Sequence, residues 1–183
     1  TIFRNFIEVV NQKSLEEISE IIKDGIFRKQ IESLQQTLNE KGNEAYSTEK
    51  TNLLAFTPSG KFEGGRKPEF LKEYSKMIIL DIDKLDLEQL SIIREKANGN
   101  SYTHCCFSSP SGLGLKIIVK TRSKLEKHKQ AFNIVKLYYE GLLGVEIDPS
   151  GKDVTRLCFF SSDPELYFNP ESQDFPVSQE KVN

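Results

Sequence analysis

The 183-residue chain is 37% hydrophobic and 28% charged, the balance of an ordinary globular protein long enough for one sizeable core, so a single domain is expected. Its formal net charge of −2 excludes a generally basic nucleic-acid binder but leaves a local basic face open. No stretch is apolar for long enough to span a bilayer, and the N-terminus lacks the basic-then-apolar order of a signal peptide. The three cysteines, two of them adjacent (Cys105 and Cys106), make neither a disulfide framework nor C-x-x-C metal spacing, so a cytoplasmic protein without a membrane partner is expected. The chain opens on Thr1 rather than Met, which suggests a trimmed chain, one domain of something longer.

Residues 2–10 are β-branched and aromatic enough for a strand. Ser14 with Glu17 forms a capping box that opens a helix over Leu15–Lys23, closed by Gly25. A second amphipathic helix is predicted over 27–38, where Ile31, Leu34 and Leu38 recur at three- and four-residue spacing, and it stops before Gly42. From Lys50 a short apolar strand leads into the turn Pro58-Ser59-Gly60, and Gly64-Gly65-Arg66-Lys67 reads as a loop; a plain hairpin accounts for this region.

The stretch from Met77 to Asp83 is the centre of the chain. Met77-Ile78-Ile79-Leu80 reads as a strand buried on both faces, and it runs directly into Asp81-Ile82-Asp83. Strand side chains alternate, so Asp81 and Asp83 face one way while Ile82 turns back into the core. Two carboxylates that close repel each other, and a hard, oxygen-seeking cation such as Mg²⁺ or Mn²⁺ is the usual compensation. In the competing reading, Asp83 caps the next helix and Asp81 is merely solvated at the strand end.

That next helix is predicted over 86–97, ending at Gly99. A strand over 102–108 then breaks at Ser109-Pro110-Ser111-Gly112-Leu113-Gly114, and a second strand over 115–119 resumes at once, a hairpin on a glycine-rich turn. Gly112 and Gly114 would let backbone N–H groups approach a phosphate, with Lys116 adding a point charge; a tight turn explains the same glycines. The alternation turns Lys116 away from Leu115 and Ile117, toward a cleft if those two fill the core. A helix follows over 124–141, with Phe132, Val135, Leu137 and Tyr139 among its apolar residues. Lys116, Lys120, Arg122, Lys124, Lys127 and Lys129 crowd this region, either as a strip for single-stranded DNA or as a solvated face. Val145-Glu146-Ile147-Asp148 repeats the apolar-into-acid ending, Pro149–Lys152 turns, and a last strand is predicted over 155–160. Within it Cys158 reads as a core hydrophobe and Arg156 as either a salt-bridge partner or a phosphate contact. The tail is polar from Asp163, with Tyr167 and Phe168 as anchors. A third acid, Asp148, beside the Asp81/Asp83 pair is the set that two-metal nucleotidyl transfer uses.

Three blocks carry a resemblance: Leu80-Asp81-Ile82-Asp83; the run from Phe107 through Ser109-Pro110-Ser111-Gly112-Leu113-Gly114 to Lys116; and Ile147-Asp148-Pro149-Ser150-Gly151-Lys152-Asp153-Val154-Thr155-Arg156-Leu157-Cys158-Phe159. In order and spacing they resemble the motif blocks of the VirE N-terminal family, found in Bacteroidetes and their mobile elements and a branch of the archaeo-eukaryotic primase (prim-pol) superfamily. The likeness runs from Lys50 and Thr57-Pro58-Ser59-Gly60-Lys61-Phe62 to Tyr167-Phe168-Asn169-Pro170. It implies an α+β fold in which an RRM-like antiparallel sheet carrying the acids packs against an N-terminal α/β unit, roughly residues 76–170 against 1–75, with a tail over 171–183. It also implies Mg²⁺ or Mn²⁺ on Asp81, Asp83 and Asp148. Nucleotide phosphates would meet Ser111, Gly112, Gly114, Arg156 and Lys116, the last standing where primases commonly place a histidine. The expected activity is primase-polymerase nucleotidyl transfer from NTP or dNTP on a single-stranded DNA template, beside a helicase, in replication of a mobile element. A catalytically weak module that binds nucleic acid and positions the helicase is the alternative.

Overall fold

The structure, a computed structural model, describes residues 1–177, so the last part of the tail, 178–183, lies outside the described residues. Thr1 to Asn11 form a hairpin rather than one strand: β1 (Ile2–Arg4) turns at Asn5 and Phe6, with left-handed φ of 49° and 68°, into β2 (Glu8–Asn11). No glycine marks this turn, which is why a single strand was expected. Helix α1 (Leu15–Lys23) has the predicted bounds and the Ser14/Glu17 capping box. Helix α2 spans Arg28–Lys50, well past the expected stop. Gly42, at φ 82° and ψ −175°, breaks its axis without ending it, because a single residue in that conformation redirects the chain and helical φ/ψ resume beyond it.

The expected hairpin after Lys50 does not form. β3 (Ala55–Phe56) pairs with β1, while β4 (Gly60–Phe62) pairs with β5 (Leu71–Tyr74). β6 (Met77–Ile82) leads to α3 (Leu87–Asn98), whose capping box is Asp86 with Gln89, so Asp83 is not the cap. β7 (Thr103–Ser108) and β8 (Leu115–Lys120) form the predicted hairpin, and α4 (His128–Leu143) begins later than expected, after a 3₁₀ turn at Leu125–Lys127. Two short strands close the chain, β9 (Cys158–Phe159) and β10 (Tyr167–Phe168). The segment 145–148 is not a strand: Asp148 caps the 3₁₀ turn Pro149–Lys152 by accepting from the Ser150 N–H.

The result is an α+β protein with antiparallel sheets ordered β2-β1-β3-β9 and β10-β7-β8-β6, plus the β4-β5 pair. Alternation along β6 decides what covers the second sheet. Ile78, Leu80 and Ile82 join Leu115, Ile117 and Val119 under α3 and α4, whereas Ile79 and Ile118 point the other way, onto Ile18, Ile22, Phe56 and Phe160 of the first sheet and α1. Each such aliphatic side chain contributes about 1.5–3 kcal/mol by leaving water. The two expected subregions are interleaved, because β9, from the C-terminal half, completes the N-terminal sheet. Among the described residues no helix is long and apolar enough to cross a membrane. Cys105, Cys106 and Cys158 are free and buried.

Candidate active-site cleft

Asp81 shares the face of Ile79 and therefore points between the two sheets. It is 3% exposed. In the antiparallel β6–β8 register it stands directly opposite Lys116, and cross-strand partners of this kind share a face. The lysine ammonium lies 2.7 Å from Asp81 Oδ1, while Arg156 donates to Oδ2 at 2.9 Å. The alternation argument for Lys116 is met: Leu115 and Ile117 are in the core and Lys116 faces the cleft.

The same Arg156 nitrogen lies 3.6 Å from Asp148 Oδ2, and the Asp148 N–H donates to the Asp81 carbonyl at 2.9 Å. The two carboxylates are therefore no farther apart than the sum of their distances to one guanidinium nitrogen. Asp83, just beyond the end of β6, is exposed, and it lines the same cleft as Asp148, Lys116 and Arg156. Asp83 and Asp148 thus line one cleft, while Asp81 lies buried behind Lys116 and Arg156. The repulsion expected between the three acids is, however, met by Lys116 and Arg156 from the chain itself. Among the described residues no three His, Cys, Asp or Glu side chains stand together closely enough to hold a metal ion. The donors are of the hard carboxylate type that Mg²⁺ and Mn²⁺ take, but Asp81 is already occupied by cations.

Titration follows from these contacts. Burial acts to lower the Lys116 ammonium, but Asp81 beside it outweighs burial and raises it; the Arg156 guanidinium is raised by the same carboxylate against the same opposition. At Asp148 burial acts upward, and the Ser150 N–H, together with Arg156, brings the carboxyl below its ordinary value.

The main chamber has a volume of about 570 Å³ and is lined by Lys50 and Arg66 as well as the residues above. Neither of these was assigned a role from sequence. Arg66 donates to the carbonyls of Phe6 and Thr155, both at 2.7 Å, and so ties the β1–β2 turn across the cleft mouth to the segment carrying Arg156. Asp153 accepts from the Thr155 N–H and hydroxyl and shapes that same loop. The glycine turn has a structural explanation. A Cβ on Gly114 would collide with the Ile82 carbonyl, Gly112 sits at φ 75°, and its N–H is bonded to the Ser109 carbonyl. Ser111 accepts from the Leu113 N–H, so the turn presents side chains to the cleft more than free amides. Of the expected basic strip, Lys116 belongs to this cleft, while Arg122, Lys124, Lys127 and Lys129 are exposed elsewhere.

Residues 48–168 match the BT4734-like, N-terminal domain family, over almost the range from Lys50 to Pro170 on which the resemblance rests. The chain belongs to this family. It is a family of the VirE N-terminal group, and the match contains every acid and cation of the cleft, leaving out only Phe6 of the β1–β2 turn among the main chamber's lining. No curated protein and no solved structure matches the chain.

Proposed function

We propose that this domain is a primase-polymerase-type nucleotidyl transferase, taking NTP or dNTP on a single-stranded DNA template beside a helicase in the replication of a mobile element. The observation that carries the reading is the meeting of Asp81 and Asp148, from distant segments, on one guanidinium nitrogen in a cleft that also contains Asp83 and four basic side chains. The succession β6-α3-β7-β8-α4 with strand order β7-β8-β6 agrees with the RRM-like sheet the resemblance implies.

The reading places Mg²⁺ or Mn²⁺ on Asp81, Asp83 and Asp148, which requires Asp81 to exchange its ion pairs with Lys116 and Arg156 for the metal and the three carboxylates to draw together; the ion would then supply charge neutralisation for a triphosphate and activation of the attacking hydroxyl. The chain's own residues do the rest. Lys116 and Arg156 pair with Asp81 and present cationic donors to incoming phosphate oxygens, with Lys50 on the adjoining wall. Arg66 fixes the cleft mouth through its two carbonyl contacts.

A second reading, a nucleic-acid-binding module of weak catalysis that positions a helicase, is favoured by the ion pairs on Asp81, since a carboxylate neutralised by two cations has no need of a metal. Incorporation of labelled nucleotide on a primed or unprimed single strand separates the two. Template-dependent extension with Mg²⁺ or Mn²⁺ supports transfer; nucleotide and DNA binding without extension supports the module.

A further inference from the structure

Beyond Gly42, the continued helix of α2 places Asn43, Tyr46 and Lys50 at three- and four-residue spacing, on one face. That face closes a second chamber, of about 200 Å³, against the turn from Ser109 to Leu113. Its walls differ from those of the larger chamber. Leu38, Pro110, Leu113 and Phe159 give it apolar wall. Beside them stand the Asn43 amide, the Tyr46 phenol, the Ser109 and Ser111 hydroxyls and, at the rim, Lys84. Apolar walls with a few placed polar groups suit a flat ring bearing heteroatoms, whereas the larger chamber, with Arg66, Lys116 and Arg156, suits phosphate.

The chambers adjoin through Lys50, Asp83, Lys116 and Phe159, so one ligand can lie across both. Lys50 stands at the passage. Its ammonium is 5.3 Å from the centre of the Tyr46 ring and 5.2 Å from that of Phe159, resting on π faces rather than on a carboxylate. Gln35 donates to the Pro110 carbonyl at 3.1 Å and holds the turn against α2, which fixes the width of the chamber.

We propose that the smaller chamber is the nucleoside subsite: it receives the base and sugar of the nucleotide between Asn43, Tyr46 and the glycine turn, while Lys50 meets the phosphates at the passage into the larger chamber. This rests on the nucleotide reading above. The Asn43 amide offers both a donor and an acceptor to a base edge. Burial pushes the Tyr46 phenol up, with the Ser111 hydroxyl opposing it, so the phenol is an O–H donor at neutral pH.

Titration of the full chain with NTPs, dNTPs and inorganic tripolyphosphate, all in Mg²⁺, tests this on wild type, Asn43→Phe, Tyr46→Phe and Lys50→Ala. Asn43 is exposed, so a phenyl ring fills the chamber without entering the core, and Tyr46→Phe keeps the buried ring. Asn43→Phe is expected to weaken nucleotide binding by about tenfold and Tyr46→Phe by about threefold, both leaving tripolyphosphate binding unchanged, while Lys50→Ala weakens both ligands. Unchanged nucleotide affinity in Asn43→Phe and Tyr46→Phe, equal loss of both ligands in Asn43→Phe, or wild-type affinity for tripolyphosphate equal to that for nucleotide overturns the subsite and leaves the phosphate-binding reading standing. Wild type that binds neither ligand overturns both.

Discussion

Asp81 lies buried between Lys116 and Arg156, and this changes what its removal should do. If its charge were merely repelling Asp83, Asp81→Asn would relieve strain and spare the fold. Paired as it is, the substitution strands two cations at a half-buried site, and the expected cost is roughly 3 kcal/mol, the low end for breaking a buried pair because Arg156 is partly exposed and can rehydrate. Asp83 is exposed at the cleft, and Asp83→Asn is expected to change stability by no more than about 0.5 kcal/mol. Urea unfolding of both variants checks this pair; equal stabilities would mean that the Asp81 ion pairs contribute nothing. At this scale the acids were legible because period-two alternation is local. The Lys116 partner was not, since it depends on the β6–β8 register, and Arg156 reaches Asp81 only through the path of the 149–156 loop.

The elements are tied together by two buried histidines. His104 on β7 bonds the Asn169 carbonyl at 2.8 Å and Ser172 at 3.0 Å, holding the chain around β10, while His128 at the start of α4 bonds Tyr74 of β5 at 2.9 Å, with Ser123 on the same phenol. Burial lowers both imidazoles below their ordinary value. A folded-state value below the unfolded one means that the unfolded chain takes up protons first, so stability is complete above about pH 6.5 and falls as pH drops below it. The urea midpoint is therefore expected to decline from pH 7 to pH 5, and His104→Asn and His128→Asn should each flatten the decline. A midpoint that holds steady in the wild type contradicts this. Helix α1 was readable to the residue from its capping box, and the β7–β8 hairpin from its glycine turn. The continuation of α2 was not, because a glycine that redirects a helix looks in sequence like one that ends it, and Asn43 and Tyr46 went unassigned with it. The β1–β2 turn was hidden for the opposite reason: Asn5 and Phe6 take left-handed φ without any glycine to announce it.

Over the whole molecule the charge is divided. The cleft mixes acids with cations, while Arg122, Lys124, Lys127 and Lys129 lie exposed around the start of α4, opposed there by Glu126 and, at Arg122, by Asp174. Single-stranded DNA is expected to bind this face weakly despite the net charge of −2, with log K falling against log salt at a slope of about −2 to −3 for three or four neutralised phosphates. Lys124→Glu with Lys127→Glu should remove most of that binding and leave nucleotide affinity in the cleft intact. Binding indifferent to salt would place DNA elsewhere. The α+β class and the sheet carrying Asp81 were implied by the family resemblance, not by the spacing of elements, and β9 crossing into the N-terminal sheet is a pairing between distant segments that no local pattern encodes. The most direct test of nucleotidyl transfer is extension of a labelled strand on a single-stranded template with Mg²⁺ or Mn²⁺, comparing wild type with Asp83→Asn at matched thermal stability. The account predicts extension by the wild type and its loss in Asp83→Asn with no change in melting temperature; extension that persists in Asp83→Asn, or none by the wild type, would contradict it.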